Sequence, residues 1–154
     1  MLIWMNIAGL LLPKSIVAYL YDDFTLRQAL EKMRYHKHTA VPVVTRENRY
    51  VGTLSEGDFL WSLVDYMQSS EAENKCVDFR DLETIFLKDI LHTDKNPPVR
   101  INTKTMELVE RACNQNFIPV IDDRDSFIGI GTRKAIISRL SKDLKQYDYE
   151  KLFG

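Results

Sequence analysis

Only two cysteines, Cys76 and Cys113, occur in 154 residues, and they form no C-x-x-C motif. Their scarcity excludes a disulfide framework and a cysteine zinc site, and it fits a reducing, cytoplasmic setting. An excess of either charge is also missing, because 21 basic against 22 acidic residues leave a net charge of −1. The chain therefore lacks the field that draws nucleic acid or anionic membrane, and an anionic ligand has to be held locally. Long apolar runs are absent too. Residues 1–13 carry no charge, yet they fall short of the roughly 20 residues a spanning helix needs and lack the basic start of a signal peptide. This segment is expected in a core or at a subunit interface rather than in a membrane.

What is present is a folded composition, 45% hydrophobic with 28% charged, and an internal duplication. Val41-Pro42-Val43-Val44 precedes Tyr50-Val51-Gly52-Thr53-Leu54-Ser55, and Ile118-Pro119-Val120-Ile121 precedes Phe127-Ile128-Gly129-Ile130-Gly131-Thr132. Proline, glycine and hydroxyl residue each recur at a constant offset of 77 positions, without a gap.

Both copies read as the same elements. A short extended segment (17–21; 99–101) precedes a stretch with helical spacing, Leu26, Ala29, Leu30 and Met33 in one and Leu108, Val109 and Ala112 in the other. Two β-branched runs follow around a polar turn, Arg46-Glu47-Asn48 or 123–125, and read as a hairpin. Pro42 and Pro119 donate no ladder hydrogen bond and are expected near a strand's start or on an edge. A second helix closes each copy, 56–67 and 133–142. On the first of these, Phe59, Leu60, Leu63, Val64 and Met67 make one apolar stripe suited to a core or a dimer contact. Trp61, off the stripe, suits either an interface anchor or partial cover within the monomer. Residues 68–81 read as a polar loop, and Leu82, Ile85, Phe86, Ile90 and Leu91 as a short helix ended by Pro97-Pro98. The expected fold is α+β, a duplicated strand-helix-strand-strand-helix unit. Its domains are a first repeat with the apolar N-terminal segment, 1–67; a linker with a short helix, 68–96; a second repeat, 97–142; and a charged C-terminal tail, 143–154, read as a solvated helix.

The strand-to-helix junction of the first copy carries the chemistry. Ser55, three residues before Asp58, matches a capping box with Asp in the usual Glu or Gln place. The same geometry suits a nucleotide: unpaired helix N–H groups hold phosphate, Ser55 adds a donor, Asp58 accepts from ribose hydroxyls, and Gly52 admits close backbone approach.

With these residues the chain resembles a tandem pair of cystathionine-β-synthase-type (CBS) domains, a Bateman module, from about residue 11 to 140. The resemblance implies two copies packed with pseudo-twofold symmetry and clefts for AMP, ADP, ATP, S-adenosylmethionine or another adenosyl ligand, with no obligatory cofactor. It also implies dimerisation of many such pairs, and hence a homodimer here. Carried over residue by residue, it gives Ser55 to phosphate or ribose and Asp58 to the ribose hydroxyls. Val17, Ala18 and Tyr19, with Thr39, Ala40 and Pro42, fall in its base and phosphate pocket. The second copy keeps Gly129 and Thr132 but has Ala135 at the acid's position, and Arg133 is left to pair with a phosphate. One competent site and one degenerate site are expected, with Gly131 leaving room in the second.

No nucleophile with its base, phosphate loop or metal set is visible, so catalysis is not expected. His36-Lys37-His38 has no second ligand pair in sequence and reads as an exposed helix end. The leading expectation is a stand-alone regulatory module that binds an AMP-like nucleotide and acts through an unknown effector protein. The alternative is a ligand-free interaction or assembly scaffold.

Overall fold

The computed structural model describes residues 5–69 and 76–154. Residues 1–4 of the apolar run and 70–75 of the expected polar loop lie outside the described residues. In chain order the elements are β1 (Leu12–Pro13), β2 (Leu20–Tyr21), α1 (Leu26–His36), β3 (Ala40–Val44), β4 (Tyr50–Ser55), α2 (Glu56–Gln68) and α3 (Leu87–Ile90). There follow β5 (Val99–Arg100), α4 (Thr105–Asn114), β6 (Phe117–Ile121), β7 (Phe127–Thr132) and α5 (Arg133–Phe153). They form two compact units, Ala18–Lys95 and Met1–Val17 with Asn96–Gly154.

In the unit Ala18–Lys95, the sheet order is β2-β3-β4, parallel then antiparallel. Thr25 starts α1 with a capping box, its hydroxyl accepting from the Gln28 amide while its own amide donates to Gln28 Oε1 at 2.9 Å. The helical spacing then places Leu26, Ala29 and Met33 on the face that meets Leu20, Val41, Val43 and Leu54. Full burial of such a side chain is worth about 1.5–3 kcal/mol, enough to fix which face of α1 turns inward.

The other unit repeats this hairpin with the 77-residue offset intact. Asn48 (φ 66°) and Asp125 (φ 63°) turn the two hairpins in the left-handed region, where Asn and Asp are tolerated best. Both inner strands shift register after a valine, Val43 and Val120. Pro42 and Pro119 lie in central strands, not at sheet edges, but the short parallel strands begin only at Val43 and Val120. Each proline thus sits one residue ahead of the ladder to which it could not donate.

Further expectations differ from the structure. The apolar N-terminal segment belongs with the second copy: β1 pairs antiparallel with β7, and Met5 and Ile7 are buried with Val99, Leu108 and Ile118. β7 offers a free edge and a glycine-lined surface, and both are covered by this segment. The stretch 82–91 is not one helix, because Phe86 is extended (ψ 144°) and bridges Thr25 ahead of α1, leaving a 3-10 turn and the four-residue α3. The tail 143–154 is helical and mostly exposed, as expected, but it continues α5, which runs unbroken for 21 residues with Arg139 bonded to Asp143 at 3.0 Å. The predicted α2 stripe is divided as well. Phe59 and Leu63 pack on the core, while Leu60, Met67 and the off-stripe Trp61 are exposed.

Gly52 and Gly129 both hold φ values that L side chains rarely adopt, 157° and 153°. A Cβ on Gly52 would lie 3.6 Å from the His92 carbonyl oxygen, whereas one on Gly129 would lie 2.1 Å from that of Leu12. Gly52→Ala is therefore expected to cost about 1 kcal/mol from backbone strain alone. Gly129→Ala, which must also displace β1, is expected to cost at least about 2 kcal/mol. Urea unfolding of the two variants checks the order.

Candidate functional site

β4 runs into α2 without an intervening residue, so Ser55 is both the last residue of the strand and the N-cap of the helix. Its hydroxyl accepts from the Asp58 amide at 3.2 Å, and Asp58 Oδ2 accepts from the Ser55 amide at 2.9 Å and from its hydroxyl at 2.7 Å. The Glu56 amide donates to the Thr39 carbonyl at 3.0 Å, which joins the hairpin's first residues to the same helix end. Register sets Ala40 opposite Ser55 and Pro42 opposite Thr53. Ser55, Asp58, Thr39, Ala40 and Pro42 are thus brought together by one hairpin and one cap.

The remaining expected residues lie otherwise. Tyr19 stands one residue before β2, edge-on to Tyr21, with Lys32 Nζ 5.0 Å from its ring centroid. Ala18 packs against the core. Val17 closes a 3-10 turn, Lys14–Ile16, in the other unit.

Lys95 was not legible as part of the site. Its Nζ lies 2.8 Å from Asp58 Oδ1, and the ammonium side chain is 59% exposed while the carboxylate side chain is 7% exposed. The sequence signal was weak, a lysine in the polar turn His92 to Asn96, and the pairing spans 37 positions. Leu91 and the His92 carbonyl lie over Gly52, 3.6–3.8 Å from where its Cβ would stand. Segment 91–95 thus flanks both the glycine and the acid of the motif.

Burial works against the charged form of Asp58, but the hydrogen bonds from Lys95 and from the Ser55 hydroxyl and amide outweigh it. The carboxyl is held below the ordinary carboxylate range. Because its folded pKa is depressed, the stability it contributes is present above about pH 3.9 and is lost as pH falls through the folded value. The ensemble can accept a hydrogen bond from a hydroxyl, donate to an anion from Lys95, and do both at a helix N-terminus with partial positive charge.

At the second junction, Thr132 caps α5 by accepting from the Ala135 amide at 3.1 Å, and no carboxylate follows. Arg133 turns elsewhere: its Nε donates to the Ala112 and Gln115 carbonyls at 2.7 and 3.2 Å, at the C-terminal end of α4. The room expected beside Gly131 is taken by Ile7, whose Cδ1 stands 2.5 Å from the position of an added Cβ. His36 and His38 are exposed with rings stacked at 5.9 Å, and no cluster of three metal-ligating groups exists among the described residues. No described helix is long and apolar enough to cross a membrane.

Comparison with known proteins matches residues 11–65 to the family model of the CBS domain. Cyclic di-AMP receptor B of Bacillus subtilis (strain 168) is 25% identical over 129 residues, which cover 84% of this chain and 82% of that protein. A solved structure of CbpB in complex with c-di-AMP has a TM-score of 0.79 at 22% identity, covering 96% of this chain and 91% of that one. The Listeria monocytogenes CbpB complex with c-di-AMP has a TM-score of 0.72 at 20% identity, covering 90% and 97%.

In Lys95→Ala, Asp58 keeps its burial and loses its strongest acid-lowering donor, so its titration midpoint is expected to rise. Carboxyl-carbon NMR titration reads this directly, and an unmoved midpoint would remove Lys95 from the site.

Proposed function

We propose a nucleotide-sensing regulatory role for this chain, a tandem CBS pair, with a cyclic adenine dinucleotide in place of the AMP-like ligand expected at first. The observation that carries this reading is the neutral pair Asp58–Lys95, 2.8 Å apart, at the N-cap of α2. In a mononucleotide the ribose offers two vicinal hydroxyls, which a lone carboxylate accepts well. In a cyclic dinucleotide closed by 3′,5′-phosphodiesters, each ribose keeps only its 2′-hydroxyl, and an anionic phosphodiester sits on the neighbouring oxygen. A lone carboxylate would repel that group. With Lys95 beside it, Asp58 accepts the 2′-hydroxyl while the ammonium moves from Oδ1 to the phosphodiester, and Ser55 remains the cap. The relatives named for cyclic di-AMP support the same choice.

One ligand per chain is the expected stoichiometry, because the second junction has Ala135 at the acid's position, Ile7 against Gly131, and Arg133 Nε held by α4. In this reading the regulatory output is passed to an effector protein. A second reading, an assembly module without ligand, draws on Leu60, Trp61 and Met67, which are 56%, 65% and 57% exposed along α2; it would use them as a homodimer or partner contact.

The test is calorimetric titration with cyclic di-AMP, AMP, ADP, ATP and S-adenosylmethionine. Cyclic di-AMP is expected to bind at one per chain. Lys95→Ala should weaken it about tenfold or more with little effect on AMP, and Asp58→Ala should weaken both. Binding of AMP alone would restore the mononucleotide reading, and binding of nothing would favour the assembly module.

A further inference from the structure

A cavity of about 390 Å³ is lined by the end of α1 and the first turn of α2. Leu30, Met33 and Phe59 form its apolar part, and Arg34, Lys37 and His38 surround it with cationic and imidazole groups. Glu56 supplies the single carboxylate. Glu56 and Phe59 are three residues apart and share a face of α2, whereas Asp58 points to Lys95. The volume falls in the range of small-molecule sites, which combine an apolar lining with a few convergent polar groups.

Basic residues at a helix C-terminus complement its dipole, and this accounts for Arg34 without any ligand. It applies equally to Lys37, which stands at the C-cap itself. This C-cap residue has φ 54° and ψ 36°, the left-handed conformation in which glycine meets no Cβ clash and lysine does. Lys37 thus lines the cavity from a conformation that costs lysine more than glycine. Among the described residues no ion pair holds Arg34, Lys37 or Glu56, so the cationic groups outnumber the one carboxylate and are not neutralised by the fold.

We propose that this cavity binds a small amphipathic anion, an aryl or short acyl body seated on Leu30, Met33 and Phe59 with its phosphate, sulfonate or carboxylate at Arg34 and Lys37. It is separate from the Asp58 site, so neither proposal depends on the other.

The probe is the aryl sulfonate 1-anilinonaphthalene-8-sulfonate, followed by fluorescence on the whole chain, with octanoate and phenyl phosphate as competitors for the acyl and aryl sources of the same chemistry. Saturable binding of one probe per chain is expected, displaced by at least one competitor, and weakened roughly tenfold in the double variant Arg34→Gln, Lys37→Gly. The neutral N-phenyl-1-naphthylamine should bind wild type and variant alike. Lys37→Gly relieves the left-handed strain, so the melting temperature of this variant should hold or rise, which separates lost binding from lost folding. Equal probe affinity in wild type and double variant, or no saturable binding, would overturn the proposal. Displacement of the probe by cyclic di-AMP would assign the cavity to the nucleotide and overturn a separate site.

Discussion

No residue separates strand from helix at either junction: Ser55 and Thr132 each end a strand and cap the helix that follows. A helix start leaves amides without intrahelical partners, and here the hydroxyl of the last strand residue accepts from one of them. The hairpin supplies one further acceptor in each copy, Thr39 O for Glu56 N at 3.0 Å and Asn116 O for Arg133 N at 2.9 Å. These bonds fix the helix direction relative to its sheet. They also decide where a carboxylate one turn along will stand.

From this shared frame the copies diverge in chemistry. Asp58 and Ala135 occupy the same place, and only the first calls for a cation, which arrives from Lys95. The outer strands are covered in the same manner but to different depth, Leu91 and His92 lying over Gly52 in ordinary contact and Leu12 pressing on Gly129. Ile7 then fills the space that Gly131 leaves. Each glycine-bearing strand is thus flanked by the segment that precedes the other copy. The charge pairing is inverted too: Asp23 pairs with Arg46 in one copy, and Arg100, at the offset position of Asp23, pairs with Asp125 in the other. The duplication conserves backbone geometry and lets side chains exchange roles.

The hairpins, the caps and α1 were legible because their determinants are local. β-Branched runs around a polar turn, an N-cap hydroxyl with an acid three residues on, and apolar residues at helical spacing all act within a few positions. Lys95, the covering of β7 by residues 5–13, and the break at Phe86 were not legible, since each is decided by a partner far away in sequence. Phe86 could continue a helix on propensity; the backbone bonds from Leu26 to Ile85 and from Leu87 to Phe24 draw it into an extended form instead. Arg133 illustrates the same limit. A free guanidinium near a helix start suits phosphate, yet the carbonyls ending α4 lie within its reach and bind it first.

Energetics connect the cap to ligand choice. An exposed ion pair adds little, about 0–1 kcal/mol, but Asp58 is buried and Lys95 is not, so the pair is asymmetric. Removing the ammonium leaves a buried carboxylate with one oxygen unsatisfied, and a stranded charged acceptor costs more than the bond it lost, at least about 1–3 kcal/mol. A ligand that displaces Lys95 must therefore bring its own donor to Oδ1 and give the ammonium a new anion close by. A hydroxyl with a phosphodiester on the adjacent carbon meets both demands in one sugar, whereas a vicinal diol meets only the first.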